Sequence, residues 1–184
     1  TILAAAAASA RNLGCRPDDP WLLNMPLAHV GGLSSVTRCL LARCTVVLLP
    51  RFEPAAVLDA IRRHHVTLLS VVPTMLHALL ESDEHHTLRL PRAILVGGAA
   101  APPVLLDTCA LRGVPALTTY GLTETCSQVT SQPPRDPSVR LAGSGPPLPT
   151  FELRIAAPGD DAPLPAHHVG RILVRGPALF DGYL

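Results

Sequence analysis

The sequence predicts an α/β fold: a mostly parallel sheet with crossover helices on both faces, followed by the first antiparallel strands of a smaller β subdomain. Three observations predict it. Apolar strand-like runs recur at residues 21–26, 45–50, 67–73, 93–98 and 114–121, with helical patterns between them at 31–43, 54–64, 74–82 and 102–112. The runs are almost continuously apolar, as parallel strands covered on both faces must be. Beyond residue 150 the pattern becomes alternation of apolar and polar residues, at 151–156 and 169–175, which is the period of antiparallel strands with one face in water.

Taken in order, the chain opens on Thr1-Ile2-Leu3 and an alanine run to Ala8. With no basic start and no Leu-rich middle this is not a secretory leader, and a helix is expected there. Pro54 and Pro102 stand at the expected starts of two helices, where a missing N–H costs nothing. Gly113 follows the last turn of the second and suits a left-handed cap. Pro133, Pro134, Pro137, Pro146, Pro147 and Pro149, with Gly143 and Gly145, make residues 132–150 an irregular loop. The final two strands flank a polar loop at 158–168, and a hairpin of that kind is marginal alone. The chain divides on this reading into an α/β unit over residues 1–145 and the start of a β subdomain over 146–184. It begins with Thr, not Met, and stops soon after that hairpin, so a segment cut from a longer protein or a processed product is expected. Apolar faces bared by such cuts predict self-association, and an oligomer is left open.

Composition narrows the function classes. Hydrophobic residues make up 48% of the 184 but aromatics only 3%, so the core is built from Leu, Val and Ala. A net charge of +1, with arginines and carboxylates scattered along the chain, excludes a general attraction to nucleic acid or to anionic membrane. No stretch is long and apolar enough to span a bilayer. The cysteines, Cys15, Cys39, Cys44, Cys109 and Cys126, are odd in number and show no CxxC spacing. They read as small apolar residues in a reducing cytoplasm, not as a disulfide frame or a zinc site.

Chemistry concentrates in Thr119-Tyr120-Gly121-Leu122-Thr123-Glu124-Thr125-Cys126-Ser127-Gln128, directly after the apolar run from Val114. An aromatic ring, a glycine, hydroxyls and one carboxylate are the parts needed to stack a base, admit a phosphate to the backbone, hydrogen-bond it and hold a metal. The plainer reading is a strand turning into a helix, with Thr123 as its cap and Glu124 favoured by the helix dipole. Upstream, Leu95-Val96-Gly97-Gly98-Ala99 sets tandem glycines after a strand, which allow close backbone approach. This is not the GxGxxG fingerprint, because a third glycine is missing and Pro102 intervenes. His29, in Pro26-Leu27-Ala28-His29-Val30-Gly31-Gly32-Leu33, follows another strand; a packed or capping histidine is the plainer alternative there. Ser70 precedes Val71-Val72-Pro73-Thr74, another expected pocket wall, in which Thr74 reads as a helix cap. The pairs His64-His65, His85-His86 and His167-His168 read as surface residues, with no metal-ligand spacing.

With those three segments on the page, the chain resembles the adenylate-forming enzymes, the acyl-CoA synthetase and ligase superfamily, along nearly its whole length. The resemblance implies ATP-dependent joining of a small-molecule carboxylic acid to CoA, through an acyl-adenylate and then a thioester, with Mg²⁺ accompanying ATP. It implies that Thr123 hydrogen-bonds the phosphate, that Glu124 holds the metal, and that Tyr120, Gly121, Thr119, Gly97, Gly98 and Ala99 receive the nucleotide. His29 and Ser70 would border the acyl pocket. The continuation Thr125-Cys126-Ser127-Gln128 is similar to the o-succinylbenzoate ligase group of menaquinone biosynthesis. A second carboxylate on such an acid needs extra donors, which Ser127 or an arginine would supply. The resemblance also implies three parts outside this chain: an upstream phosphate-cradling loop, a downstream Asp that grips ribose, and a C-terminal domain with a lysine. All 15 basic residues here are arginines, so none substitutes for that lysine. The segment alone is therefore expected to be inactive. Ligases of other aryl or fatty acids, carrier-loading adenylation domains and a stand-alone nucleotide-binding module remain as alternatives.

Overall fold

The computed structural model describes residues 1–134 and 143–183. The expected N-terminal helix is α1 (Ile2–Leu13), closed by Gly14 in the left-handed region. The alternation follows as β1 (Trp21–Leu23), α2 (Val30–Ala42), β2 (Val46–Leu48), α3 (Pro54–Arg63), β3 (Leu68–Val71), α4 (Pro73–Ser82), β4 (Ala93–Val96), α5 (Pro103–Arg112) and β5 (Ala116–Leu122). Every expected strand and helix is present, with ends shifted by a few residues. Pro54 is the first residue of α3, but Pro102 caps α5 and Pro103 opens it. Gly113 closes α5 with φ 66°, as its position suggested. Thr74 is no cap: α4 starts one residue earlier, at Pro73, with Val72 in the cap position.

Five strands are parallel, in the order β2-β1-β3-β4-β5. The helices cover both faces, and the reason lies in the strand sequence Ala93-Ile94-Leu95-Val96 of β4. Ile94 and Val96 enter one core cluster with α3, α4 and α5 through Val57, Ile61, Leu76, Leu79 and Leu105. Ala93 and Leu95 enter the other, with Leu13 of α1, Cys39 of α2 and Trp21. A period of two sends alternate side chains to opposite faces, and both faces are dry, so the strand is apolar throughout.

One strand was not expected. After β5 the chain makes a single 3-10 turn, Thr123–Thr125, and returns as β6 (Ser127–Ser131), antiparallel to β5. The capped helix considered at Thr123 does not form. A sixth strand within Gln128-Val129-Thr130-Ser131 gives little apolar signal, yet four of its five residues are buried. Of the expected loop at 132–150, residues 135–142, with Pro137, lie outside the described residues; at its far end Pro147 bridges to Thr130.

β7 (Glu152–Ala156) and β8 (Arg171–Arg175) form the expected antiparallel hairpin. It is held by a third cluster, in which Leu153 and Val174 meet Ala5 and Ala8 of α1 together with Val129, Leu148 and Phe151. This is how a marginal hairpin acquires a buried face.

α1 and the sheet are also joined by charge. Asp19, 3% exposed, accepts hydrogen bonds from Arg92 Nε (2.8 Å), Arg92 Nη2 (2.5 Å), Thr67 Oγ1 (2.7 Å) and the Arg16 N–H (2.8 Å). Arg92 Nη1 also donates to the Leu13 carbonyl at the end of α1 (2.6 Å). Burial opposes ionisation of Asp19, but the hydrogen bonds from Arg92, Thr67 and Arg16 outweigh it and hold the carboxyl below its usual range. A group with a lowered folded pKa contributes stability above its unfolded value of about 3.9 and loses it as pH falls through the folded value. Asp19→Asn should therefore cost about 2 kcal/mol at pH 7, below the cost for a fully buried pair because Arg92 is partly exposed. The deficit relative to wild type should shrink below pH 4 in urea titrations. A deficit that is the same at pH 3 and pH 7 would show that the charge is irrelevant.

Candidate active site

The strand order reverses at β1: β2 lies on one side of it, and β3, β4 and β5 follow on the other. At such a switch point the connections leave on opposite faces, and a crevice opens beyond the carboxyl ends of the strands. Here that crevice is a cavity of about 660 Å³. Each wall comes from the residues just after a strand: Met25, Pro26 and His29 after β1, Val72 after β3, Gly97 and Gly98 after β4, and Thr123 and Glu124 after β5.

His29 is extended (φ −103°, ψ 143°) and precedes α2, but its side chain makes no capping bond; it is exposed and lines the cavity. His29 thus occupies the cap position of α2 without capping it through its side chain. Gly32 lets α2 start against the preceding loop, since a Cβ there would stand 2.3 Å from the Pro26 carbonyl oxygen, and Gly31 and Ser34 of α2 line the cavity with small side chains. Ser70, at the end of β3, is buried beside it with no hydrogen-bond partner for its hydroxyl among the described residues.

Thr125 builds the turn that presents Thr123 and Glu124. It is wholly buried, accepts the Leu122 N–H (3.1 Å), and its hydroxyl lies within reach of the Leu122 and Ser127 carbonyls (3.0 and 3.1 Å). Cys126 and Ser127 then take positive φ, 52° and 109°, to reverse the chain into β6. Thr123 is exposed, whereas Glu124 is half-buried, the one carboxylate among the described lining residues. Glu124 Oε1 accepts a hydrogen bond from Tyr183 (2.9 Å), and its backbone carbonyl accepts the Phe180 N–H (2.9 Å). The segment after β8 thus holds this turn from outside. The hydrogen bond to Glu124, together with the repulsion of its carboxylate, raises the Tyr183 phenol above its usual pKa.

The structure brings together most of the residues singled out in the sequence: His29, Ser70, Gly97, Gly98, Thr119, Gly121, Thr123, Glu124 and Ser127 all line the cavity. Ala99 and Tyr120 do not. Successive residues of a strand face opposite ways, and the Tyr120 ring packs with the third cluster beside Val129 and Leu148.

Sequence reasoning missed Arg38, which lies on the same inner stripe of α2 as Gly31 and Ser34 and is 3% exposed. Its Nη2 donates to Ser127 Oγ (3.0 Å), and the guanidinium sits 5.4 Å from the Trp21 ring centroid. Burial pushes its pKa down to about 10, so it stays cationic at neutral pH. The legible signal was a single arginine at helical spacing from the small residues Gly31 and Ser34. The histidine pairs at 64–65, 85–86 and 167–168 are exposed, and no cluster of three metal-ligating side chains occurs among the described residues. None of the described helices is long and apolar enough to cross a membrane.

A doubly wound sheet with its cavity at the switch point, walled by a Gly-Gly loop and a Thr-Glu turn, defines a ligand-binding α/β domain. More specifically, the chain belongs to the AMP-binding enzyme family, whose sequence pattern matches residues 1–184. It is 41% identical over 181 residues to 2-succinylbenzoate–CoA ligase of Bacillus subtilis, covering 97% of this chain and 36% of that protein. The namesake ligase of Oceanobacillus iheyensis is 36% identical over 179 residues, with the same coverage. Among solved structures, the B. subtilis o-succinylbenzoate CoA synthetase in complex with ATP and magnesium superimposes with a TM-score of 0.86, at 40% identity, over 97% of this chain and 37% of that one. Apo MatB from Rhodopseudomonas palustris gives 0.87 at 31% identity, over 97% and 36%. The chain thus spans about a third of the length of the relatives it matches.

Proposed function

We propose that the protein carrying this chain is an AMP-forming carboxylic acid–CoA ligase whose acid is o-succinylbenzoate, which would place it in menaquinone biosynthesis. The observation that supports this most directly is the meeting of the Thr123-Glu124 turn, the Gly97-Gly98 loop and His29 on one cavity, in a chain 41% identical to such a ligase. In the first half-reaction a carboxylate oxygen of the acid attacks the α-phosphorus of ATP; the bond to the bridging oxygen breaks and pyrophosphate leaves. In the second, the CoA thiolate displaces AMP from the acyl carbon.

Charge accumulates on the phosphate oxygens in the first step, so donors fixed in advance lower its barrier. Thr123 supplies a hydroxyl there. Magnesium prefers hard oxygen ligands, and the donor set fits: Glu124 offers a carboxylate at the cavity wall beside that hydroxyl. When bound, the metal neutralises phosphate charge as a Lewis acid. Gly97, Gly98, Thr119 and Gly121 form the nucleotide-facing wall, flanked by Ala99 and Tyr120, while His29 and Ser70 border the acid. On this reading residues 1–145 form the nucleotide-binding unit and 146–184 open a β subdomain. The five cysteines carry no disulfide, which fits a cytoplasmic enzyme.

The test is AMP release by the full-length protein with ATP, Mg²⁺ and CoA, over a panel of o-succinylbenzoate, benzoate and fatty acids. Turnover with o-succinylbenzoate at least about tenfold above the others is expected, the discrimination that one good polar contact supplies. Turnover only with another acid would keep the ligase and reject the substrate. Turnover with none would favour a nucleotide-binding module.

A further inference from the structure

The one carboxylate on the described cavity wall is gripped by a segment far along the chain. The Phe180 N–H donates to the Glu124 carbonyl (2.9 Å), and Tyr183, 59 positions beyond Glu124, donates its hydroxyl to Glu124 Oε1 (2.9 Å). Two features build this strap. Ala178, fully buried in the third core cluster with Val174 of β8 and with Phe151, fixes its near end. The Phe180 and Tyr183 rings then meet edge to face, with centroids 4.8 Å apart and planes at 85°, which sets the direction of the phenol. The described lining of the cavity includes neither ring, so the strap reaches the site only through Glu124.

A glutamate on a single 3-10 turn has three torsions to fix before its carboxylate points one way. Tyr183 holds Oε1, and the described residues give Oε2 no partner. Tyr183 is 73% exposed, so its hydrogen bond adds little to stability; water replaces it at small cost. What water does not replace is direction. Carboxylates that bind metals are themselves held by outer hydrogen bonds, and these fix their orientation. We propose that Tyr183 is a positioning residue for the Glu124 carboxylate, holding Oε1 so that Oε2 is left for a magnesium ion that arrives with ATP. This rests on the ligase reading above and adds to it a residue outside the cavity. It also ties the site to the β7–β8 hairpin, because the buried anchor of the strap packs in the same cluster as Leu153 and Val174 of that hairpin.

The test uses the full-length protein with Tyr183→Phe, Glu124→Gln and the two combined. Tyr183→Phe keeps the ring against Phe180 and removes only the donor. Without ligand it should melt within about 2 °C of the wild type. The readout independent of turnover is the rise in melting temperature that ATP gives as Mg²⁺ is increased. Its midpoint in Mg²⁺ should move up by about tenfold. In acid-dependent exchange of pyrophosphate into ATP, the KM for Mg²⁺ should rise by a similar factor, while the rate at saturating Mg²⁺ should stay within about threefold. In the Glu124→Gln background, adding Tyr183→Phe should change either quantity by less than about twofold, because the charge it positions is gone.

An unchanged or lowered Mg²⁺ midpoint, or the same loss in both backgrounds, would overturn the proposal and leave Tyr183 a surface contact. A Tyr183→Phe protein that melts far below the wild type would overturn it too, by showing that the phenol holds the fold. If ATP stabilises the wild type equally with and without Mg²⁺, the proposal falls together with the metal assignment of Glu124, while acid-dependent exchange would still uphold the ligase. If exchange needs no acid but the Mg²⁺ midpoint shifts as stated, the ligase reading is rejected and the role of Tyr183 stands.

Discussion

Gly121→Ala is expected to disrupt the turn that carries the site and to lower stability by about 3 kcal/mol or more. A Cβ at Gly121 would stand 1.7 Å from the Ser127 carbonyl oxygen, 2.5 Å from its carbon and 2.8 Å from Gln128 Cα. All three are backbone atoms of the facing strand, so no rotamer change relieves the clash. Relief requires β6 to move away from β5, and their pairing already shifts register between Tyr120 and Gly121. That movement would drag Ser127, and with it the partner of Arg38, out of place. Gly14→Ala is the matched control: its φ is 58°, but a Cβ there meets nothing within 4 Å, so only backbone strain of about 1 kcal/mol is expected. Chemical denaturation of the full-length protein and both variants distinguishes them. A Gly121→Ala protein as stable as Gly14→Ala would mean that the close approach of β5 and β6 is not real.

Glu124→Gln should leave folding intact and reduce adenylation by about 10³-fold, equivalent to about 4 kcal/mol of transition-state stabilisation. The substitution keeps size and hydrogen bonding to Tyr183 but removes the charge that a magnesium ion requires. The loss should appear in acid-dependent exchange of pyrophosphate into ATP, which isolates the first half-reaction. It should be partly recovered as Mg²⁺ is raised, because weakened binding is offset by concentration. Thioester formation from supplied acyl-adenylate should suffer far less. Full exchange activity at limiting Mg²⁺ would remove Glu124 from the site.

The layered architecture was readable before any coordinates because burial on both faces writes itself into strand composition. Ala93-Ile94-Leu95-Val96 has no polar residue to spare, and proline and glycine punctuate the helices at Pro54 and Gly113. β6 escaped notice for the opposite reason. Gln128, Thr130 and Ser131 are buried in a strand held by its backbone pairing with β5 and by the Ser9–Gln128 hydrogen bond to α1, not by apolar side chains of its own. The candidate site was legible where chemistry depends on residue types in close sequence, as in Thr123-Glu124 and Gly97-Gly98. Tyr120 shows the limit: its packing against the cluster that holds Val129 and Leu148 depends on segments that only the tertiary structure brings together.

The order of apolar runs and breakers was enough, without tertiary information, to determine a parallel α/β sheet followed by an antiparallel hairpin, since local periodicity and backbone constraints act within a few residues. The same is true of the clustering of hydroxyls, glycines and a carboxylate between Thr119 and Ser127. Only the tertiary structure decided that the strand order reverses at β1 and opens a cavity there. Only it set Arg38 of α2 against Ser127 of β6, 89 positions away along the chain. A contact of that separation leaves no local trace in the sequence. It exists because five helices and a six-stranded sheet pack in one arrangement, and it is there that a buried guanidinium meets the Ser127 hydroxyl and the Trp21 ring.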